Sequence, residues 1–145
     1  MSSQPDFNTL VLQMRAARTT ESMMVLYKHL FEIDEWFFPA DPKNPQEPMQ
    51  WRFPEGANTT PCILGYTDVA LAWRRATEVA GSVGGIAAVM TLSVGDAVRW
   101  MTSGDVGVSW ASFNHSEGFE NFPLYFFQVE EMAIAFGLLP TFSTS

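Results

Sequence analysis

The sequence predicts a single α+β domain in which a mixed, mostly antiparallel sheet of about five strands is flanked by helices. Two patterns predict this class. Apolar residues recur at helical spacing in five segments. Between these segments lie short β-rich or alternating stretches bounded by Gly, Pro and Asn. A length of 145 residues fits one domain, which we predict to span residues 1–145 with a loose tail at 140–145.

The helices are predicted from apolar stripes and from residues that begin or end a helix. They are predicted over Phe7–Arg18, Thr20–Phe31, Thr67–Ala80, Ser93–Met101 and Pro123–Phe136. The third helix is the clearest, because Thr67 can cap the amides of its first turn. Its buried stripe is predicted to consist of Val69, Ala72, Trp73, Ala76 and Ala80. Arg74 and Arg75 are therefore expected to face outward.

Short segments rich in β-branched and aromatic residues predict the strands. They are predicted over Glu35–Pro39, Met49–Phe53, Cys62–Tyr66, Ile86–Leu92 and Val106–Trp110. Residues 40–48 contain three prolines and are expected to form a loop, as are residues 113–122. The first three strands follow one another closely, which favours antiparallel pairing. The run Ile86–Leu92 is expected to be a buried strand. The strand–helix–strand segment that begins with this run and ends at Trp110 is expected to add a parallel pair.

Charge and cysteine content exclude several classes of function. The net charge is −8, with 8 basic and 16 acidic residues, whereas a nucleic-acid groove or an anionic membrane surface requires a dense basic face. Cys62 is the only cysteine, so neither an intrachain disulfide nor a cysteine-based zinc site is expected. Residues 1–6 do not resemble a signal peptide, and no apolar run approaches the ~20 residues of a membrane span. We expect a cytoplasmic protein.

Several segments, taken in order, resemble the N-terminal domain of the SseB protein family. The matching segments are Leu26–Leu30, Glu35–Pro39, Ile63–Asp68, Ala72–Trp73, Gly95–Trp100 and Gly107–Trp110. They correspond to the family's opening helix, a strand ending in proline, a strand-to-helix step, and a later helix with a glycine-led strand. The resemblance covers roughly residues 22–112, and the three-proline loop departs from it, as does the segment from Phe113 onward. It implies an α+β fold in a bacterial cytoplasmic protein and no established catalytic residues.

The residues themselves show no catalytic constellation. His29 and His115 are the only histidines, and neither lies in a motif that completes a metal site. Cys62 lies in an apolar segment, where a thiol is expected to be buried and inert rather than nucleophilic. We therefore predict no enzyme, no cofactor and no metal. A small hydrolase built on Cys62 or on acidic groups is the weakest alternative.

Aromatic residues are in surplus for a small core and supply the candidate binding residues. The chain contains five Trp and twelve Phe, and exposed aromatic patches often mark protein interfaces. The candidate interaction residues are Trp100, Phe113, Phe119, Phe122, Arg74 and Arg75. The loop phenylalanines either fold back over the sheet or form an apolar patch. The leading hypothesis is binding to another protein or to itself; the alternative is a small-molecule sensor with a pocket near Trp51, Trp100 and Phe122.

Overall fold

The computed structural model describes residues 7–53, 60–115 and 122–138, which contain five helices and seven strands and confirm the α+β class. The helices are α1 (Phe7–Ala17), α2 (Thr20–Glu32), α3 (Val69–Val83), α4 (Val94–Thr102) and α5 (Phe126–Ala135). The strands are β1 (Glu35–Asp41), β2 (Asn44–Pro48), β3 (Gln50–Trp51), β4 (Cys62–Gly65), β5 (Val89–Ser93), β6 (Trp110–Phe113) and β7 (Phe122–Tyr125).

The strands form two sheets that meet at one point. The first has the order β2-β1-β5 and is antiparallel throughout; the second has the order β3-β4-β6-β7. Phe37 in β1 and Tyr66 after β4 join the sheets by exchanging two backbone hydrogen bonds, of 2.9 and 2.8 Å. The prediction of one sheet with about five strands is therefore wrong in its count and arrangement.

The missed strands contain proline. β2 carries Pro45 and Pro48 and lies at the edge of its sheet, where a missing amide hydrogen is tolerated because no neighbour needs it. β7 is likewise an edge strand and contains Pro123, so α5 begins at Phe126 rather than at that proline. The prolines predict a loop at residues 40–48 and the start of a helix at Pro123, so the sequence analysis predicts neither β2 nor β7.

The parallel pair lies between β4 and β6, not between the strands that flank α4. β5 instead pairs antiparallel with β1 in the other sheet. The predicted strand Val106–Trp110 is displaced, because Gly107 has a positive φ of 87° and the strand begins only at Trp110.

The main core packs α1, α2, α4 and α5 against the aromatic faces of the sheets. Trp36 lies at its centre, fully buried, and its indole Nε1 donates to the carbonyl oxygen of Leu30 over 2.8 Å. Its ring contacts Phe31 and Phe113 edge to face, at centroid distances of 5.3 and 5.1 Å. A smaller cluster lies under α3 and includes Leu64, Tyr66 and Ala72.

Helix α3 is rotated relative to the prediction. Ala72 and Ala76 are buried, but Val69 and Trp73 are exposed, Trp73 at 45%. Small alanines allow the helix backbone to approach the sheet closely, whereas an indole on that face would hold it away. The predicted cap is also wrong: Asp68 caps the helix by accepting from the amide of Ala70 at 2.8 Å. The Thr67 hydroxyl instead accepts from the side-chain amide of Asn114 at 2.9 Å.

Gly65 sits where the two sheets converge, which gives the first testable prediction. A Cβ there would lie 2.9 Å from Phe113 Cε1 and 3.2 Å from Phe38 Cε1, and both rings are buried. We expect Gly65→Ala to lower the free energy of unfolding by about 1–3 kcal/mol through overpacking. Gly81→Ala is the matched control, because it lies in α3 with nothing within 4 Å; it should gain roughly 0.5–1 kcal/mol. Equal effects in urea denaturation would contradict this packing.

Candidate functional site

Two of the candidate interaction residues are buried in the core. Phe113 has no exposed surface and contacts the rings of Phe7 and Trp36. Phe122 is also buried and packs edge to face on Phe7 at 5.6 Å and on Tyr27 at 6.1 Å. Both are in strands whose inner face covers the core, so of the two alternatives these two phenylalanines follow the first, packing over the sheet, and their place among the interaction residues is corrected. Phe119 lies outside the described residues.

Trp100 lies at the edge of the core, half-buried, as expected. Its ring packs edge to face on Phe38 at 5.3 Å and borders a groove of about 360 Å³. The other lining residues are Gln46, Glu47, Pro48, Gln50, Met90, Asp105 and Val106. Of the three residues expected to surround a small-molecule pocket, only Trp100 lines this groove; Phe122 is in the core and Trp51 is not among the lining residues.

Arg74 is exposed as expected, but Arg75 is turned inward, which corrects its predicted orientation. Its Nε donates to Tyr66 Oη at 3.3 Å, and one terminal nitrogen reaches the carbonyl oxygen of His115 at 3.3 Å. The guanidinium carbon lies 4.9 Å from the centroid of the Trp51 ring, within cation–π range. Glu78 is 3.5 Å from the other terminal nitrogen. We call Arg75, Trp51, Tyr66, Glu78 and His115 the Arg75 cluster.

The contact with Arg75 determines which ring nitrogen of His115 carries the proton. The terminal nitrogen of Arg75 is 3.2 Å from His115 Nδ1. Guanidinium can only donate, so Nδ1 must accept and the ring proton must sit on Nε2. Burial lowers the pKa of His115 below its ordinary value of 6.5, and the positive charge of Arg75 lowers it further. His115 is therefore neutral at neutral pH.

Two buried polar atoms on the same sheet face have no hydrogen-bond partner within residues 7–53, 60–115 and 122–138. They are Trp51 Nε1 and Ser112 Oγ. The register pairs Trp51 with Cys62, and Leu64 with Ser112. Side chains alternate along a strand, so Cys62 and Leu64 share a face, and Trp51 and Ser112 share it too. Native proteins satisfy nearly all buried polar groups, so these two atoms mark a face on which hydrogen-bonding capacity is left unused by the described residues.

Cys62 lies on that face, but its thiol is buried and unreactive. It has no exposed surface. Burial raises the pKa of its thiol to about 12, so the thiol is protonated at neutral pH. A protonated thiol is a poor nucleophile. This geometry offers no support for the hydrolase alternative built on Cys62.

The outer edge of β5 is open. Phe37 directs its backbone N–H and C=O toward Tyr66 and therefore away from its register partner, Thr91. In an antiparallel pair of this kind both residues point their backbone groups away from each other. Thr91, with Val89 and Ser93 on either side, thus directs its backbone groups outward, where the described part of the chain provides no strand. β5 is an edge strand, so the predicted burial of Ile86–Leu92 is wrong.

The other three sheet edges are protected against pairing. β2 contains two prolines and Glu47, β7 contains Pro123, and β3 is only two residues long. Proline, charge and short length are the devices by which edge strands avoid association. β5 has none of the three, because its sequence Val-Met-Thr-Leu-Ser contains neither proline nor charge.

The segment that leads into and forms β5 is rich in apolar residues and contains no charged residue. Ile86 and Val83, just before the strand, are 66% and 51% exposed. No charged residue occurs between Glu78 and Asp96, in a chain whose net charge is −8. This open strand and the exposed residues before it, Val83–Ser93, form what we call the β5 edge.

None of the helices within the described ranges is long and apolar enough to cross a membrane. Within residues 7–53, 60–115 and 122–138, no three His, Cys, Asp or Glu residues group closely enough to hold a metal ion. Comparison of the chain with protein-family models, curated proteins and solved structures finds no match. The SseB resemblance therefore stays a prediction.

The neutral state of His115 predicts a specific loss of stability in acid. Its pKa in the folded protein is below 6.5, whereas the unfolded chain has a value near about 6.5. As pH falls below that value the unfolded chain binds a proton that the folded protein does not. The stability contributed by neutral His115 is therefore full above about pH 6.5 and is lost as pH falls toward the folded pKa.

The measurement is urea denaturation of the native protein and of His115→Gln at about pH 7.5, 6.5 and 5.5. The free energy of unfolding of the native protein should fall more steeply toward acid than that of the variant. Parallel pH profiles would contradict the assignment of a buried, neutral His115.

Proposed function

We propose that this protein acts through self-association, with the β5 edge of one chain pairing with the β5 edge of a second copy. The observation that carries this proposal is the unpaired outer edge of β5, which lacks the proline and charge of the other edges. Unpaired strand edges are templates for pairing with another chain, and strand addition is a recurrent mode of protein recognition.

A second copy fits this edge because the strand is self-complementary. Thr91 is the middle residue of Val89–Ser93, so an antiparallel pair about a two-fold axis can oppose Thr91 to itself and use all five residues. Val89 then opposes Ser93 of the partner subunit. Cross-strand threonine pairs are favourable in antiparallel sheets. The result is a continuous six-stranded sheet with the order β2-β1-β5 followed by its symmetry copy.

Charge also favours this contact over others on the molecule. Two copies with net charge −8 repel each other, so their least costly contact is where charge is absent. The stretch between Glu78 and Asp96 is such a place. Exposed Ile86 and Val83 add apolar surface beside the strand, which is needed because five paired residues alone bury little area.

The proposal extends to the family and compartment. A cytoplasmic, non-catalytic SseB-like domain that works by binding itself is consistent with the ordered segments between about residues 22 and 112 and with the resemblance they carry. The support for the interaction role comes from the edge geometry, and the support for the family from the residue order.

Charge substitution at Thr91 tests the proposal. Thr91 is exposed, so Thr91→Lys should leave the fold of the monomer intact, with a stability change within about 0.5 kcal/mol. In the dimer it would oppose two lysines, and we expect dimerisation to weaken about tenfold or more, because each 1.4 kcal/mol is tenfold. Thr77→Lys is the matched control: it makes the same charge change at an exposed position in α3. Native mass spectrometry across a concentration series measures the dimer fraction.

A charge-swap experiment tests the two-fold geometry directly. Thr91→Lys and Thr91→Glu should each be mostly monomeric, and mixing them should restore a dimer containing one of each. Circular dichroism confirms that each variant is folded. The proposal would be contradicted by a native protein that is monomeric at all concentrations. It would also be contradicted if Thr77→Lys weakened dimerisation as much as Thr91→Lys does.

A further inference from the structure

We infer that the Arg75 cluster is a binding site for a small aromatic carboxylate, which would replace Glu78 as the counter-ion of Arg75. The site lies beside β3 and α3 and is built from side chains, whereas the β5 edge is built from backbone groups. The inference goes beyond the proposed self-association and does not depend on it.

The charge of Arg75 is incompletely neutralised in the folded chain. Its side chain is only 15% exposed, and Glu78 is the only carboxylate that the described residues place within 4.0 Å of it. Glu78 is itself 55% exposed and 3.5 Å away, so solvent screens this pair and its strength is small. A largely buried cation needs a closely hydrogen-bonded counter-ion. The cluster therefore favours an added anion.

The guanidinium of Arg75 donates to Tyr66 and His115, but two hydrogen-bond donors beside it have no acceptor among the described residues. Trp51 Nε1 is buried without a partner in the part of the chain that the structure describes, and the Trp51 ring lies 5.8 Å from that of His115. His115 uses Nδ1 to accept from Arg75, which leaves its Nε2–H as a further donor. Three donor groups thus belong to rings or a guanidinium in mutual contact. Carboxylate oxygens are the acceptors that complement guanidinium geometry.

The surrounding rings select a flat apolar body for this anion. Phe53 contacts His115 edge to face at 4.8 Å and Trp51 at 6.4 Å. Phe53, Trp51 and His115 are each only half-buried, so each residue keeps some exposed surface. Aromatic rings pack favourably in offset or edge-to-face arrangements. A benzoate-like molecule presents both the ring and the carboxylate that this combination requires.

Two neighbouring arginines provide a matched pair of variants. Arg75→Gln removes the charge inside the cluster, whereas Arg74→Gln removes the same charge from the exposed residue next to it. Glu78→Gln removes the competing carboxylate without changing the cation. The probe is benzoate, with benzamide as the uncharged ring and acetate as the charge without a ring.

The readout is the indole N–H region of a ¹H–¹⁵N spectrum, in which five tryptophans give five signals. Trp51→Phe identifies the Trp51 signal. We expect benzoate to shift that signal saturably and benzamide and acetate to shift it weakly. Arg75→Gln should weaken benzoate binding about tenfold or more, as expected for a charged hydrogen bond. Arg74→Gln should leave it within about twofold, and Glu78→Gln should strengthen it.

Three outcomes with benzoate and the arginine variants would overturn the inference. They are no shift of the Trp51 signal up to about 10 mM benzoate, equal shifts with benzamide, and equal weakening in Arg74→Gln and Arg75→Gln. A fourth is unchanged or weaker benzoate binding in Glu78→Gln. Thermal unfolding of each variant separates lost binding from lost folding. If Arg75→Gln does not fold, the Glu78→Gln variant still decides, because unchanged or weaker binding there contradicts the exchange of counter-ions. None of these outcomes alters the oligomeric state predicted for the β5 edge.

Discussion

The paired backbone hydrogen bonds between Phe37 and Tyr66 are the constraint on which the rest of the structure depends. They join the two sheets and fix which way every residue of β1 points. Phe37 turns its backbone to the second sheet, so Trp36 and Phe38 turn theirs to β5. The same alternation leaves the outer groups of β5 without a partner, so the open edge follows from the topology that completes the core.

The two candidate surfaces differ in physical kind. The β5 edge offers oriented backbone groups and apolar side chains in a stretch without charge, which suits a strand of another chain. The Arg75 cluster offers a largely buried cation, aromatic rings and the unpartnered Trp51 Nε1, which suits a small anion. Elsewhere in the described chain, the buried Cys62 thiol is protonated, and within the Arg75 cluster His115 Nδ1 accepts a hydrogen bond from Arg75.

Sequence patterns predicted the features that local periodicity decides. The presence of all five helices and the α+β class follow from apolar spacing within single segments, whereas the predicted cap of α3 and the predicted start of α5 are wrong. Strand neighbours, by contrast, depend on distant residues. Nothing local distinguishes a buried Ile86–Leu92 from an edge strand, and the prolines of β2 and β7 are tolerated only because those strands are edges. Arg74 and Arg75 are adjacent in sequence, and only the alanines that contact the sheet decide which of them turns inward.

Amide hydrogen exchange at Thr91 tests whether two β5 edges pair. The backbone N–H of Thr91 points away from β1 and is open to solvent in a monomer. Pairing of two β5 edges would bury that N–H in a ladder, and burial slows exchange. We expect rapid exchange at Thr91 in dilute protein and strong protection at concentrations where the dimer forms, while Met90 and Leu92 are protected in both. Rapid exchange at Thr91 at every concentration, in a protein that nevertheless dimerises, would contradict this pairing.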